Sequence, residues 1–306
     1  MDENVEKELR KIPVVSDIVL YMKGIILPGF QGLSLYDFWE LYSVGIIKGT
    51  FSTRAGAIAF SFFMALFPFF LFILNLIPYV PIADFQQKFL NFVYGVLPPQ
   101  TADFFEPILL DIAANPRGGL LSFTLIFAIF LMANGVNSIF TGFEYSYHTS
   151  RNRTILRQYI IAVGVSIILA LMLLLSVIVI VYYQYRIDQI NQHFIFTEDN
   201  SWISSLGSYV FIIVMIYCVV GTLYYFGTKE GRYYRFFSAG ALLTTILFLL
   251  TTYFFGIYIT NFSTYNQLYG SIGALLIMMV YIWLNSNLLL LGFELNATLY
   301  NLKSKR

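Results

Sequence analysis

Charge is scarce in this chain: 11% of its 306 residues are charged and 58% are hydrophobic, a balance far outside that of soluble domains. Its single cysteine, Cys218, excludes an internal disulfide. Its two histidines, His148 and His193, are too few for the clustered ligand set of a metal-dependent nuclease. No GxxxxGK[ST] stretch occurs, so a nucleotide-driven motor of that type is excluded. A formal net charge of +1 gives no broad field for nucleic acid. The opening MDENVEKELRK is mixed in charge, and no apolar stretch of spanning length follows before residue 55, so no cleavable signal peptide is expected.

What the chain has instead is long uncharged runs. A helix crossing the hydrocarbon core needs about 20 apolar residues. Arg54 to Asp84 encloses 29 uncharged residues, Arg117 to Glu144 encloses 26, Arg157 to Arg186 encloses 28 and Asp199 to Lys229 encloses 29. Arg235 to Glu294 encloses 58, broken by the polar stretch Asn261, Ser263, Thr264, Asn266 and Gln267, and reads as two helices. The expected fold is all-α, a polytopic membrane protein of six transmembrane helices at about 55–79, 118–143, 158–183, 205–227, 236–260 and 269–298. Residues 1–54 form an N-terminal segment, 55–300 the membrane domain and 301–306 a tail.

Lys and Arg alternate across these spans. Fifteen fall on the side of both termini, and three, Lys88, Arg117 and Arg186, on the other. By the positive-inside rule both termini are cytoplasmic, and the protein is expected in the bacterial cytoplasmic (inner) membrane. The two histidines then lie on opposite faces. The basic inner loops, with Arg151, Arg153, Arg157 and Lys229, Arg232, Arg235, fit anionic phospholipid better than RNA, so no nucleic-acid partner is expected.

Leu35, Phe38, Trp39, Tyr42 and Ile46 recur at helical spacing and read as an N-terminal interfacial amphipathic helix. Gly45 and Gly49 in it would allow close approach of another helix, leaving a homo-oligomer open. Between spans one and two, stretches 82–95 and 100–114 read as short external helices. The connection at about 184–204 reads as a polar, acidic loop.

Polar groups placed in or near hydrocarbon are the candidate site, because burying them there is costly. Arg54, Glu144 and Glu294 fall at one level near the inner ends of their spans, where Arg54 could pair with either acid as a clamp, a gate or a headgroup contact. Asn134, Asn137, Asn285 and Asn287 are either bridges between helices or the lining of a polar cavity, and Asn296 is a further candidate for the polar rim. Pro68, in the middle of span one, removes a backbone donor and is a candidate kink.

Three segments carry a resemblance. AGAIAFSFFMALFPFFLFIL has a small-residue opening followed by Leu66, Phe67 and Pro68, and ANGVNSIFTGFEYSYHTSRNR leads from a small-polar stretch into an aromatic, basic loop. The last span combines Tyr269, Gly270 and Gly273 with Trp283 and a Gly292, Glu294, Leu295, Asn296 ending. Over roughly 35–300 the chain resembles the YihY/BrkB family of bacterial inner-membrane proteins, whose older label is ribonuclease BN. Glu144 departs from the asparagine expected in many relatives, so no role is carried over to it. The resemblance implies a part in envelope integrity and in the movement of lipid or lipopolysaccharide precursors. Residues and resemblance together point to transport or translocation of envelope lipids without enzymatic chemistry or a cofactor. The alternative is a non-catalytic structural or partner-binding membrane protein.

Overall fold

The computed structural model describes residues 21–26, 34–36, 39–40, 51–76, 121–146, 149, 153–193, 201–233, 236–261 and 271–304, and single positions 87, 90, 91, 94, 106, 107 and 110. Six long helices account for most of them: α1 Phe51–Leu76, α2 Leu121–Glu144, α3 Ile155–His193, α4 Ser201–Gly227, α5 Ala239–Asn261 and α6 Ser271–Ser304. A 3-10 turn, Glu230–Tyr233, joins α4 to α5. The chain is an all-α polytopic membrane protein. Five helices, α2 to α6, carry an apolar window long enough to cross a membrane, and α1 carries a shorter one, Phe51–Leu66, among its described residues.

Inside hydrocarbon a backbone must satisfy its own polar groups, which is why uncharged runs of this length become helices. The ends follow local chemistry. Ser238 caps α5, its hydroxyl accepting from the Ala241 N–H at 3.3 Å and its carbonyl from the Leu242 N–H at 3.1 Å. The Gln158 N–H closes the first turn of α3 on the Thr154 carbonyl at 3.0 Å. α1 runs through Pro68 without interruption. α3 corrects one expectation: it continues to His193, ten residues beyond the expected end of the span at 183, where a polar loop was read. No glycine or proline falls between Gly164 and His193 to stop it, so polarity alone does not end the helix. At 39 residues it is about 58 Å long, nearly twice the hydrocarbon thickness.

The expected interfacial helix and external helices fall largely outside the described residues. Positions 35, 36, 39 and 40, and 87, 90, 91, 94, 106, 107 and 110, are helical. Gly45, Gly49 and the loop carrying His148 are not among those described.

The six helices close into a ring. Each packs on its neighbours in sequence, α6 packs back on α1, and α2 reaches across to α4 and α6. The core lies at the end of the ring that carries Arg54, Arg153 and Lys303, here called the basic end. Phe140 and Phe143 of α2, Tyr224 of α4 and Phe293 of α6 are fully buried there. The Phe143 and Phe293 rings stack at 4.2 Å, and Tyr224 meets both edge-on at 5.5 and 5.9 Å.

Away from that end the packing thins. No residue of α4 from 206 to 219 and none of α5 from 246 to 254 is buried. A helix in a solid bundle buries one stripe along its whole length. α4 buries its side chains chiefly near the basic end, within Val220–Tyr224, and α5 within Gly240–Thr245, with Phe255 buried apart from these against Tyr258 and Tyr281.

Candidate functional site at the basic end

Arg54 enters the core from the first turn of α1. Its Nη2 donates to Glu294 Oε1 at 3.3 Å, and the two side chains are 5% and 0% exposed. Its Nη1 donates to the Gly142 carbonyl at 2.8 Å, and its guanidinium lies 5.5 Å from the centre of the Phe51 ring. The second oxygen of Glu294 accepts from the Ser146 hydroxyl at 2.8 Å. One carboxylate on α6 thus ties α1 to the end of α2, and the charge of Arg54 is matched by that of Glu294. Two ions taken out of solvent are tolerated only with such pairing and additional hydrogen bonds. Of the two acids open to Arg54 in the sequence, the structure selects Glu294.

Glu144 has other partners. One of its oxygens accepts from the Arg153 backbone N–H at 3.1 Å. With its amide oriented to place nitrogen toward the carboxylate, Gln158 donates to both Glu144 oxygens at 3.3 and 3.0 Å while its own oxygen accepts from the Thr141 hydroxyl at 2.9 Å. The Arg153 side chain turns the other way and caps α4, donating to the Phe226 carbonyl at 2.6 Å and to the Thr228 carbonyl. A cation at a helix C-terminus is doubly favoured, by the orphaned carbonyls and by the macrodipole.

Asn296, read from the sequence as part of a polar rim, lies inside the α5–α6 contact. Its oxygen accepts from the Gly240 N–H at 2.8 Å and its nitrogen donates to Ser238 Oγ at 2.8 Å, so α6 supplies a cap to the start of α5. Gly240 and Gly292 let the two backbones meet. A Cβ on Gly292 would collide with Thr244 Oγ1 and come within 2.5 Å of the Tyr224 hydroxyl. That hydroxyl donates to the Leu289 carbonyl at 2.7 Å and shares a 2.6 Å hydrogen bond with Thr244.

The other amides behave differently. Asn285 donates to the Tyr281 carbonyl of its own helix at 2.8 Å, as Asn287 does to Trp283 at 2.7 Å. Asn137 lies 3.2 Å from the Gln158 amide, and Asn134, one turn earlier on α2, is half-buried. The structure brings Arg54 and Glu294 together, sets Glu144 and Asn137 beside Gln158, places Asn296 under α5, and leaves Asn285 on its own helix. Sequence reasoning missed Ser146, Gln158, Tyr224 and the Gly240–Gly292 pair. Gln158, an amide opening an uncharged run, was the legible signal among them. Among the described residues, no three His, Cys, Asp or Glu side chains gather to hold a metal ion.

A family model described as Virulence factor BrkB matches residues 45–306. The putative ribonuclease-like protein YfkH of Bacillus subtilis is 26% identical over 254 residues, covering 82% of this chain and 90% of that protein. UPF0761 membrane proteins of Alteromonas mediterranea and Aggregatibacter aphrophilus are 24% and 22% identical, covering 87% and 88% of this chain and 88% and 92% of their own lengths. No solved structure matches.

Proposed function

Because the chain belongs to the virulence factor BrkB family, we propose that it moves an amphipathic envelope lipid or lipid-linked precursor, entering or leaving through the loosely packed end of the helical ring. In this reading the protein sits in the bacterial cytoplasmic membrane with its basic end and both termini in the cytoplasm. One observation carries it: over 206–219 of α4 and 246–254 of α5 side chains are at most half-buried, in contrast to the tightly packed basic end. A lipid needs an apolar surface along which its acyl chains can lie, and Val214, Leu250 and Phe254 are exposed on these stretches. The basic end supplies the barrier, with the Phe143, Tyr224 and Phe293 rings across the axis and the Arg54–Glu294 pair beside them. No hydrolytic step is assigned, and the word ribonuclease stays with the Bacillus relative.

Reconstitution in vesicles tests this reading, with a fluorescent phospholipid followed from leaflet to leaflet. Movement is expected to exceed that in protein-free vesicles, and Glu294→Gln, which loosens the barrier, should change its rate. Equal rates with and without protein would leave the structural, partner-binding reading.

A further inference from the structure

At the basic end, outside the apolar ring, the start of α3 and the 3-10 turn between α4 and α5 enclose a cleft of about 290 Å³. Arg153, Arg157 and Ile161 line it from one face of α3 and its approach, and Lys229, Glu230, Arg232 and Tyr233 from the turn. Positions 157 and 161 are successive turns of one helical stripe, and so face the same space, while Arg153 reaches it from two residues before the helix. Four cations against one acid leave three positive charges (four minus one), and Glu144, held by the Arg153 N–H just behind, reduces this to two.

The cations are not equivalent. Arg153 is buried and spends its guanidinium on the Phe226 and Thr228 carbonyls, so it contributes field more than contact. Arg157 and Arg232 are exposed and border the opening. Burial lowers the Arg153 pKa from the usual arginine value; Glu144 opposes that, while Arg232 and Arg157 push the same way as burial. The guanidiniums of Arg157 and Arg232 thus border the same cleft near enough to Arg153 to repel it, which an anion in the cleft would relieve. The first turn of α3 adds its own partial positive charge on this side.

The cleft's depth in the membrane selects the anion. The apolar window of α3 begins at Ile155, beside the lining residues Arg153 and Arg157. Ile155, Leu156 and Ile160 on α3, and Tyr233 and Phe237 after the turn, are exposed at 88%, 72%, 63%, 65% and 69%. Charged groups and exposed apolar side chains at one level match the layer where a phosphate headgroup meets its acyl chains. We propose that this cleft binds the phosphate of an anionic phospholipid, read by Arg157 and Arg232, with the acyl chains lying along the exposed apolar side chains beside it. The inference needs the membrane reading but not lipid movement, since a bound headgroup can be a fixed anchor.

The test uses the purified full-length chain in neutral detergent, with a fluorescent short-chain phosphatidic acid followed by anisotropy. Phosphatidic acid should bind saturably, and the double variant Arg157→Gln, Arg232→Gln should weaken it about tenfold. Phosphatidylcholine of the same chains should not compete, and added salt should weaken binding much less than for a diffuse surface charge. Unchanged affinity in the double variant overturns the proposal, as does equal weakening by Lys303→Gln, a basic residue outside the cleft. If inorganic phosphate competes as well as the lipid, the ligand is soluble phosphate and the lipid assignment is wrong. Should the double variant fail to fold, each single change at these exposed positions carries the same test. Binding with no lipid movement in vesicles would sink the proposed transport and leave this site standing.

Discussion

At the basic end of the ring, helices are joined by side chains that cross from one to another: Arg54 to Glu294 and Gly142, Ser146 to Glu294, Asn296 to Gly240, Tyr224 to Thr244 and Leu289. Away from it, the side chains of α4 over 206–219 and of α5 over 246–254 are exposed or half-buried, and the Thr252–Tyr281 hydrogen bond joins α5 to α6 there. The contrast shows what hydrocarbon does and does not enforce. Lipid is as apolar as leucine, so apolar side chains gain little by leaving it for one another. Association has to come from close backbone approach and from polar groups that have no better partner. The sequence supplies both at the basic end and few at the other.

The largest expected effect tests the joined end. Glu294→Ala leaves Arg54 buried and unpaired, and should lower stability by about 3–5 kcal/mol, read as the thermal midpoint of the purified protein. A double change of Arg54→Gln with Glu294→Gln should recover much of that loss, because neither charge is then stranded. Strictly additive losses would show that the two do not act as a pair.

Next comes close approach. Gly292→Ala should cost about 1–3 kcal/mol by forcing α5 and α6 apart, since its Cβ meets Thr244 and the Tyr224 hydroxyl. An unchanged midpoint would mean that the helices do not meet there. Tyr224→Phe removes two hydrogen bonds and keeps the ring stack, with an expected loss of about 1 kcal/mol. The smallest effect sharpens the contrast from the other side: Val214→Ala and Leu250→Ala, on the open faces of α4 and α5, should each stay within about 0.5 kcal/mol. A loss of core size at either position would show that the far end is packed after all.

Much of the architecture was legible because its cause is local. Twenty or more uncharged residues in hydrocarbon can only be helix, and the polar break at 261–267 divided the longest run correctly into α5 and α6. The end of α3 was not legible, because the stretch from Gln184 to His193 is polar yet contains no helix breaker, and polarity was taken as a stop. In the site, the level of Arg54, Glu144 and Glu294 was readable from depth along each span. Their pairing was not, since both acids stood at the same level. Arg153 looked like any basic loop residue, and only its aim at the end of α4 distinguishes it.

The sequence by itself determined that this chain is a bundle of membrane helices and which ends of them carry the charge, because exclusion of water acts on each segment separately. Which acid meets Arg54, how Asn296 comes to cap α5, and that the described helices are tied most tightly at the basic end were decided only by tertiary structure. Those depend on where helices far apart in the chain come to rest against each other, and side chains 240 positions apart, such as Arg54 and Glu294, have no local signal of their meeting.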